Sequence, residues 1–277
     1  MHQLHTLLKY YNQKLIRQQC ILSLEKSIHT RNMNNETAEA VQAALAEQAN
    51  PKNVPAIRRF FKTGEGEYGE GDIFIGVRVP ANRIVAKRFS ALPLVEIDHL
   101  LNSSIHEHRQ AALFILVYRF LAASKTSSRD DSLRSELSTF YIQALKRGRV
   151  NNWDLVDASA EHLLGAYLED RSRQVLFDLA SSNQLWERRA AMIATFAFIK
   201  RKDGSTTFEL AKKLLNDPEP LMHKAVGWML RETGKKISQK VLTSFLDQYA
   251  AQMPRIMLSY AIEHLSIKQR THYRNLK

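Results

Sequence analysis

Four segments of the chain repeat one pattern at helical spacing, and this repeat limits the possible folds more than any other feature. The three clear copies are His108-Arg-Gln-Ala-Ala-Leu113, Glu187-Arg-Arg-Ala-Ala-Met192 and Met222-His-Lys-Ala-Val-Gly227, and a weaker copy is Met257-Leu-Ser-Tyr-Ala-Ile262. Aligned on Ala111, Ala190, Ala225 and Ser259, they lie 79, 35 and 34 residues apart. An interval near 35 is typical of a two-helix repeat, and the first interval is about twice that length.

Each clear copy places basic or polar residues just before small ones. Small residues let one helix pack closely on the next, while the polar pair stays at the rim. The pattern therefore predicts an all-α fold, a solenoid of HEAT-like antiparallel helical hairpins with a concave basic face for DNA. The alternative is a set of ordinary amphipathic helices whose likeness is accidental.

The composition agrees with helices and excludes several classes of protein. The chain has only 10 Gly and 7 Pro, and 44% of its 277 residues are hydrophobic, enough for a substantial core. No stretch approaches the roughly 18 apolar residues of a membrane span. The single cysteine, Cys20, excludes an intramolecular disulfide framework and fits a reducing cytoplasm.

The chain divides into two unequal parts. Residues 1–34 are rich in Gln, His and Lys, and we expect an N-terminal appendage that is helical or poorly ordered. A further hypothesis takes Met33 as the true start, which mass spectrometry of the native N-terminus would test. Residues 35–277 are expected to form one repeat domain.

The formal net charge of +12 predicts a polyanionic partner, with nucleic acid the first candidate. The alternative is a basic surface that serves solubility. The glycine-rich stretch Thr63–Asp72 is a loop without the Gly-Lys-Ser/Thr ending of a phosphate-binding loop, which argues against nucleotide hydrolysis. The histidines show no metal-ligand spacing, so we expect neither a metal nor a cofactor.

Trp153 and Asp157 are the first candidate site. They lie four residues apart, so a helix from Trp153 to Leu164 would place both on one face. Lys146, Arg147 and Arg149 precede them, and an aromatic plate beside a carboxylate and cations suits a site that meets a phosphate backbone and a cationic group. The alternative is that Trp153 is a core anchor and Asp157 a cap or salt-bridge partner.

Arg189, Lys224 and Trp228 form a second candidate group. In the repeat register Lys224 corresponds to Arg189, and Trp228 lies one turn beyond Lys224. Arg189 and Trp228 should therefore fall on corresponding faces of neighbouring repeats, where an arginine can hold a phosphate while the ring packs on a sugar or base. The alternative is a core tryptophan and a solvated arginine. Trp186, near the start of its helix, is interpreted as packing.

In combination these motifs resemble the AlkD-type DNA alkylation repair glycosylases, a family of HEAT-like repeat proteins. The likeness covers about Asn35 to Leu265. It is carried, in the family's order, by Arg59-Phe-Phe-Lys62, Phe74-Ile-Gly-Val-Arg-Val-Pro80, Trp153-Asp-Leu-Val-Asp157, Trp186-Glu-Arg-Arg-Ala-Ala191 and Ala225-Val-Gly-Trp-Met-Leu-Arg-Glu232. The third and fifth segments are fairly specific together, although either alone would be weak.

The resemblance implies a role for each matching residue. It makes Asp157 the catalytic aspartate, Trp153 and Trp228 the rings that cradle the deoxyribose of the lesion, and Arg189 a backbone-binding arginine. Phe60 matches an early aromatic that is Tyr in some members, and Arg78 occupies a loop position that is Gln in some. A lysine that some members carry eight residues after the arginine is Ala197 here, which puts details of DNA contact in doubt.

The resemblance also implies an activity, namely excision of cationic alkylated purines such as 3-methyladenine and 7-methylguanine from duplex DNA during base excision repair. We expect a monomer that acts in the cytoplasm, at the nucleoid, with no membrane or metal. The alternatives are a non-catalytic HEAT-type scaffold that binds nucleic acid or protein, and an adaptor that binds RNA.

Overall fold

A computed structural model describes residues 36–276 of the chain. Its α-helices are α1 (Ala38–Ala46), α2 (Val54–Arg58), α3 (Val79–Arg88), α4 (Leu94–Leu101), α5 (His106–Ala123), α6 (Asp131–Lys146), α7 (Trp153–Asp157), α8 (Gln174–Ala180), α9 (Leu185–Ala194), α10 (Phe196–Lys200), α11 (Ser205–Lys213), α12 (Pro220–Lys236), α13 (Gln239–Tyr249), α14 (Arg255–Ala261) and α15 (Ile267–Asn275). Three short 3₁₀ turns span Pro51–Asn53, Thr126–Ser128 and Ala250–Gln252, and a π-helical turn spans Glu161–Ala166.

The predicted all-helical fold of stacked hairpins is confirmed. Residues 36–276 contain no strand, and the β-type pairing among them is one isolated parallel bridge between Ile73 and Ile105. Along the chain α4 pairs with α5, α8 with α9, and α11 with α12, and the second helices pack on one another, α9 on α12 and α12 on α14. This stacking buries one continuous apolar core. Within the described residues no helix is long and apolar enough to cross a membrane.

The repeat anchors lie where neighbouring helices touch. Ala111 in α5, Ala190 in α9 and Ala225 in α12 are completely buried, as the close-packing argument requires. Ser259 in α14, the anchor of the weak copy, is exposed. It belongs to the last hairpin of the stack within residues 36–276.

The long interval between Ala111 and Ala190 contains an irregular repeat. Helix α7 and the π-helical turn pack between α5 and α9, where a regular second helix would lie. A continuous helix from Trp153 to Leu164 was predicted, and that prediction is wrong. The Ser159 hydroxyl hydrogen-bonds the carbonyl of Leu155 at 2.6 Å, and such bonds bend helices. Single-turn π segments often lie at functional sites.

Gly227 allows the last two hairpins to approach closely. A Cβ at this position would lie 2.4 Å from the carbonyl oxygen of Met257 and 2.6 Å from the Cβ of Tyr260. Both atoms belong to α14, so relieving the clash requires the helix to move.

We therefore expect Gly227→Ala to destabilise the fold by about 1–3 kcal/mol. The melting temperature should fall by about 2–4 °C for each kcal/mol in a domain of this size. Gly64→Ala is the matched control, because its Cβ would meet only the flexible end of the Glu67 side chain, at 3.1 Å. Thermal melting of the two variants checks this, and equal melting temperatures would contradict it.

The expected appendage, residues 1–34, lies outside the described residues. Within the repeat domain the first helix begins at Ala38, and the side chain of Thr37 caps it by accepting from the backbone N–H of Ala40.

Candidate functional site

The second helices of successive hairpins line one pocket of about 630 Å³. Six of the predicted site residues line it, namely Trp153 and Asp157 from α7, Arg189 from α9, Lys224 and Trp228 from α12, and Phe60. Phe60, which follows α2, lies at the rim with 72% of its surface exposed. The complete lining is Arg59, Phe60, Phe61, Lys62, Tyr68, Trp153, Asp157, Arg189, Glu219, Pro220, Leu221, Lys224, Trp228, Ile256 and Tyr260.

The Asp157 carboxylate is held by a two-point ion pair with Arg189. The guanidinium donates from Nε to Oδ1 at 2.9 Å and from Nη2 to Oδ2 at 2.8 Å, and its Nη1 donates to the carbonyl of Leu221 at 2.6 Å. Because Arg189 is only 4% exposed, these bonds lock its orientation. Because both of its oxygens are held, the Asp157 carboxylate keeps one rotamer and a fixed orientation in the pocket wall.

Two opposing effects act on the pKa of Asp157. Burial raises it by penalising the anion, and the charge and hydrogen bonds of Arg189 lower it, while the nearby charge of Asp154 raises it further. The net effect is a pKa above the ordinary carboxyl value. A carboxyl in such surroundings is typical of functional sites.

The ring of Trp153 is held from two sides. Its indole N–H donates to the carbonyl of Phe60 at 3.2 Å, and the ring of Phe61 stacks on it at a centroid distance of 5.4 Å and an angle of 20°. The side chain of Asn152 caps α7 by accepting from the N–H of Trp153 at 2.8 Å. The Trp153 ring is therefore packed against Phe61 on one side and also lines the pocket.

Trp228 reaches the same pocket from α12. Its ring lies 6.3 Å from that of Phe196, and it is partly buried against the core. The prediction that Arg189 and Trp228 share one face of neighbouring repeats is consistent with this placement, because both side chains line the pocket. Trp186 packs edge-on against Tyr68 at 5.6 Å.

The predicted cations fall into two groups. Lys224 is exposed and lines the pocket, whereas Lys146 and Arg147 line a separate groove beside α4. Arg147 donates to Asp98 there at 2.5 Å, which raises the pKa of Arg147 and lowers that of Asp98. Arg149 is exposed and does not line the pocket. The structure thus does not bring these three residues to Asp157, and their contact with DNA stays a prediction.

Arg78 lies next to the pocket without lining it. It borders an adjoining cavity of about 250 Å³ whose walls include Phe60 and Trp153. Its guanidinium is exposed and donates to the Asn53 side chain at 3.4 Å. Contact of Arg78 with DNA stays a prediction.

Several lining residues were not found from the sequence. Phe61, Tyr68 and Glu219 border the pocket with the predicted residues. Tyr68 was hidden in the glycine-rich loop, where an aromatic residue among glycines is the signal that could have revealed it. Glu219 follows Pro218 directly before α12 and has no sequence signal of its own.

The described residues contain no group of three or more His, Cys, Asp and Glu side chains that could hold a metal ion. The polar side chains that line the pocket are the Asp157–Arg189 pair, Glu219, the tyrosines Tyr68 and Tyr260, and the exposed cations.

Comparison with known proteins bears on this pocket. The sequence profile of the family described as DNA alkylation repair enzyme matches residues 41–265, which include every pocket residue. No curated protein matches the sequence. The solved structure of a predicted DNA alkylation repair enzyme from Enterococcus faecalis has a similar fold, with a TM-score of 0.57 and 15% identity over 79% of this chain and 98% of that one. At this identity the likeness establishes the fold.

Proposed function

Because the chain belongs to the DNA alkylation repair enzyme family, we propose that it is a DNA glycosylase that releases cationic alkylated purines from duplex DNA. Family membership assigns a role in DNA repair, and the proposal adds the reaction and the substrate class. The observation that carries it is the two-point Asp157–Arg189 pair beside Trp153 and Trp228 in one pocket. Substrates of the class are 3-methyladenine and 7-methylguanine.

A purine alkylated on a ring nitrogen carries a positive charge and leaves as a neutral base without being protonated. The general acid that ordinary glycoside hydrolysis requires is therefore unnecessary. When the glycosidic bond breaks, the bonding electrons go to the base and the deoxyribose becomes an oxocarbenium ion. A fixed carboxylate suffices to stabilise that ion, to orient the water that adds to C1′ and to accept the proton that this water gives up.

Asp157 is suited to that task in two respects. Its surroundings exclude most water, since the side chain is only 17% exposed, so its charge acts through a low dielectric. Arg189 also holds both of its oxygens before the substrate binds, so little reorganisation is needed at the transition state. The principal role of Arg189 is then to orient Asp157 and to keep it ionised. A phosphate contact by Arg189, which the sequence predicts, would have to form beside this ion pair.

The two tryptophans contribute less than the carboxylate. The negative face of an indole attracts a cation with about 0.5–2 kcal/mol, which corresponds to one or two factors of ten in rate at most. Trp153 and Trp228 come from different helices and border one space. They can place their faces beside the sugar while Asp157 acts on C1′.

The direct test is to incubate the protein with methylated duplex DNA and to separate the freed bases by chromatography. We expect 3-methyladenine and 7-methylguanine to appear in step with abasic sites. Binding to the duplex without any release of base would show a non-catalytic scaffold instead.

Lys224 provides a test of the DNA contact alone. It is exposed in the pocket, and each phosphate that a lysine neutralises contributes about 0.9 to the slope of log K against log salt. We expect Lys224→Gln to flatten the slope by about this amount, while Lys240→Gln, an exposed lysine of α13 outside the pocket, leaves it unchanged. Duplex binding measured at several salt concentrations checks this, and equal slopes for the two variants would remove Lys224 from the interface.

A further inference from the structure

A buried polar cluster lies behind Trp153, outside the pocket and partly on the wall of the adjoining cavity of about 250 Å³. Its centre is His106, whose side chain is only 3% exposed. The imidazole faces a carboxylate at each nitrogen, with Nε2 2.8 Å from Oδ2 of Asp154 and Nδ1 3.3 Å from Oδ2 of Asp72. We call this group, with the residues that complete it, the His106 cluster; its members are His106, Asp72, Asp154, Arg109, Gln110 and Asn152.

The His106 cluster ties three parts of the chain together at α7. Asp72, from the glycine-rich loop, accepts from Arg109 of α5 at 2.5 Å and from the side chain of Asn152 at 3.1 Å. Asp154 accepts from Gln110 of α5 at 2.8 Å. Asn152 and Asp154 are the two sequence neighbours of Trp153, so the cluster holds the backbone on both sides of that ring.

An aromatic stack makes a second connection to the same ring. The imidazole of His106 lies 4.9 Å from the ring of Phe61 and 4.9 Å from that of Phe74. Phe61 in turn stacks on Trp153. The imidazole is therefore connected to the indole in two ways. One is through Asn152 and Asp154, the sequence neighbours of Trp153, and the other is through the stacked ring of Phe61.

Charge balance favours a protonated imidazole. A neutral imidazole has one N–H and would turn a lone pair toward one of the two carboxylates. The charged groups that face it are Asp72, Asp154 and Arg109, while the Glu107 carboxylate is taken up by backbone N–H groups, including that of Gly76 at 2.9 Å. Burial lowers the pKa of His106, but the hydrogen bonds and charge of Asp154 and the hydrogen bond to Asp72 outweigh it and raise the pKa to about 9.

We propose that His106, by bridging Asp72 and Asp154, is a positioning residue that sets the plane of the Trp153 ring beside the substrate sugar. It does not touch the substrate and acts through Asp154, Asn152 and the Phe61 stack. The role in base release rests on the proposed glycosylase activity, whereas control of the ring by His106 is a property of the free protein. The stabilisation from the imidazolium is complete below its ordinary pKa of 6.5 and is lost as the pH rises through about 9.

The indole N–H of Trp153 reports on this directly, because it donates to the carbonyl of Phe60. The chain has three tryptophans, so a ¹H–¹⁵N spectrum with labelled indoles has three signals, and Trp153→Phe assigns one of them. In the wild-type protein we expect the Trp153 signal to shift between pH 7 and 10 with a midpoint near 9. A signal that does not move over this range and that also keeps its position in His106→Gln would overturn the proposal.

The variant His106→Gln has a matched control in His108→Gln. His108 is buried in the same helix, but its Nδ1 pairs with the Ser103 hydroxyl at 3.0 Å, and it is not part of the cluster. We expect His106→Gln to displace the Trp153 signal at pH 7 and to abolish its titration, while His108→Gln does neither. The same response in both variants would mean a general effect on the fold and would overturn the proposal.

Base release separates positioning from stability. We expect single-turnover release of 7-methylguanine by His106→Gln to fall by about 2- to 30-fold, with duplex affinity changed less than about twofold. A displaced Trp153 signal with an unchanged rate would overturn the positioning role. If the wild-type protein releases no base, the proposed function fails, while the indole titration still decides whether His106 controls the ring.

Discussion

Asp157→Asn should reduce the release of 7-methylguanine from duplex DNA by at least about 100-fold, the scale on which one carboxylate acts in such a transition state. The asparagine has nearly the same shape and can still accept one hydrogen bond from Arg189. It lacks the charge that stabilises the oxocarbenium ion. Duplex affinity should not fall, because the substitution removes an anion that faces an anionic ligand. Single-turnover kinetics and duplex binding measure the two quantities separately.

The chain offers a matched control for this substitution. Asp217 is also buried, with its side chain only 2% exposed, and it accepts from Arg188 at 2.6 and 3.2 Å. The Asp217–Arg188 pair joins α9 to the segment before α12, just as the Asp157–Arg189 pair joins α9 to α7. Asp217→Asn should lower the melting temperature to a similar extent and leave base release near the wild-type rate. Equal loss of activity in the two variants would mean that Asp157 matters only for stability.

Arg189→Met should affect both the rate and its pH dependence. Removing one partner of a buried ion pair costs about 3–5 kcal/mol of stability, because the remaining charge is left uncompensated. Without the guanidinium, burial and Asp154 alone act on the pKa of Asp157, and both raise it. The anion is the reactive form, so activity is present above this pKa and is lost as the pH falls through it. The acid limb of the rate profile should therefore move to higher pH.

Arg188→Met is the corresponding control. It leaves Asp217 unpaired and should cost similar stability, but the acid limb should stay where it is in the wild-type protein. Rate profiles of both variants from pH 5 to 8, with melting temperatures at each pH, check this. An acid limb that does not shift in Arg189→Met would show that the guanidinium does not control the ionisation of Asp157.

The stacked hairpins could be predicted because the evidence for them is local. Ala190 and Ala225 belong to copies of one pattern that lie 35 residues apart, and small residues at helical spacing indicate close packing of one helix on the next. Both alanines are buried. Trp153 and Asp157 could be paired because a spacing of four residues places two side chains on one helical face. The predicted long helix is interrupted after Asp157, where the Ser159 hydroxyl bonds back to Leu155, a contact that sequence spacing does not reveal.

The contacts within the site could not be predicted to the same degree. The repeat register relates Arg189 to Trp228, but only side-chain geometry shows that Arg189 pairs with Asp157 and that all three of its nitrogen atoms donate hydrogen bonds. The spacing of the histidines predicted no metal site and no other role for His106. Its carboxylate partners, Asp72 and Asp154, lie 34 and 48 residues away in the sequence. Contacts over such separations depend on the packing of whole helices, which no local motif encodes.

The proposed mechanism requires that the base carries its own positive charge, so that no second group beside Asp157 has to protonate the base. The most direct test compares two duplexes that differ at one position, with 7-methylguanine in one and the neutral base hypoxanthine in the other. Single-turnover release should be rapid for 7-methylguanine and undetectable for hypoxanthine. Release of both bases at similar rates would contradict the claim, because a protonating group would then be at work, with Glu219 the available carboxyl in the pocket.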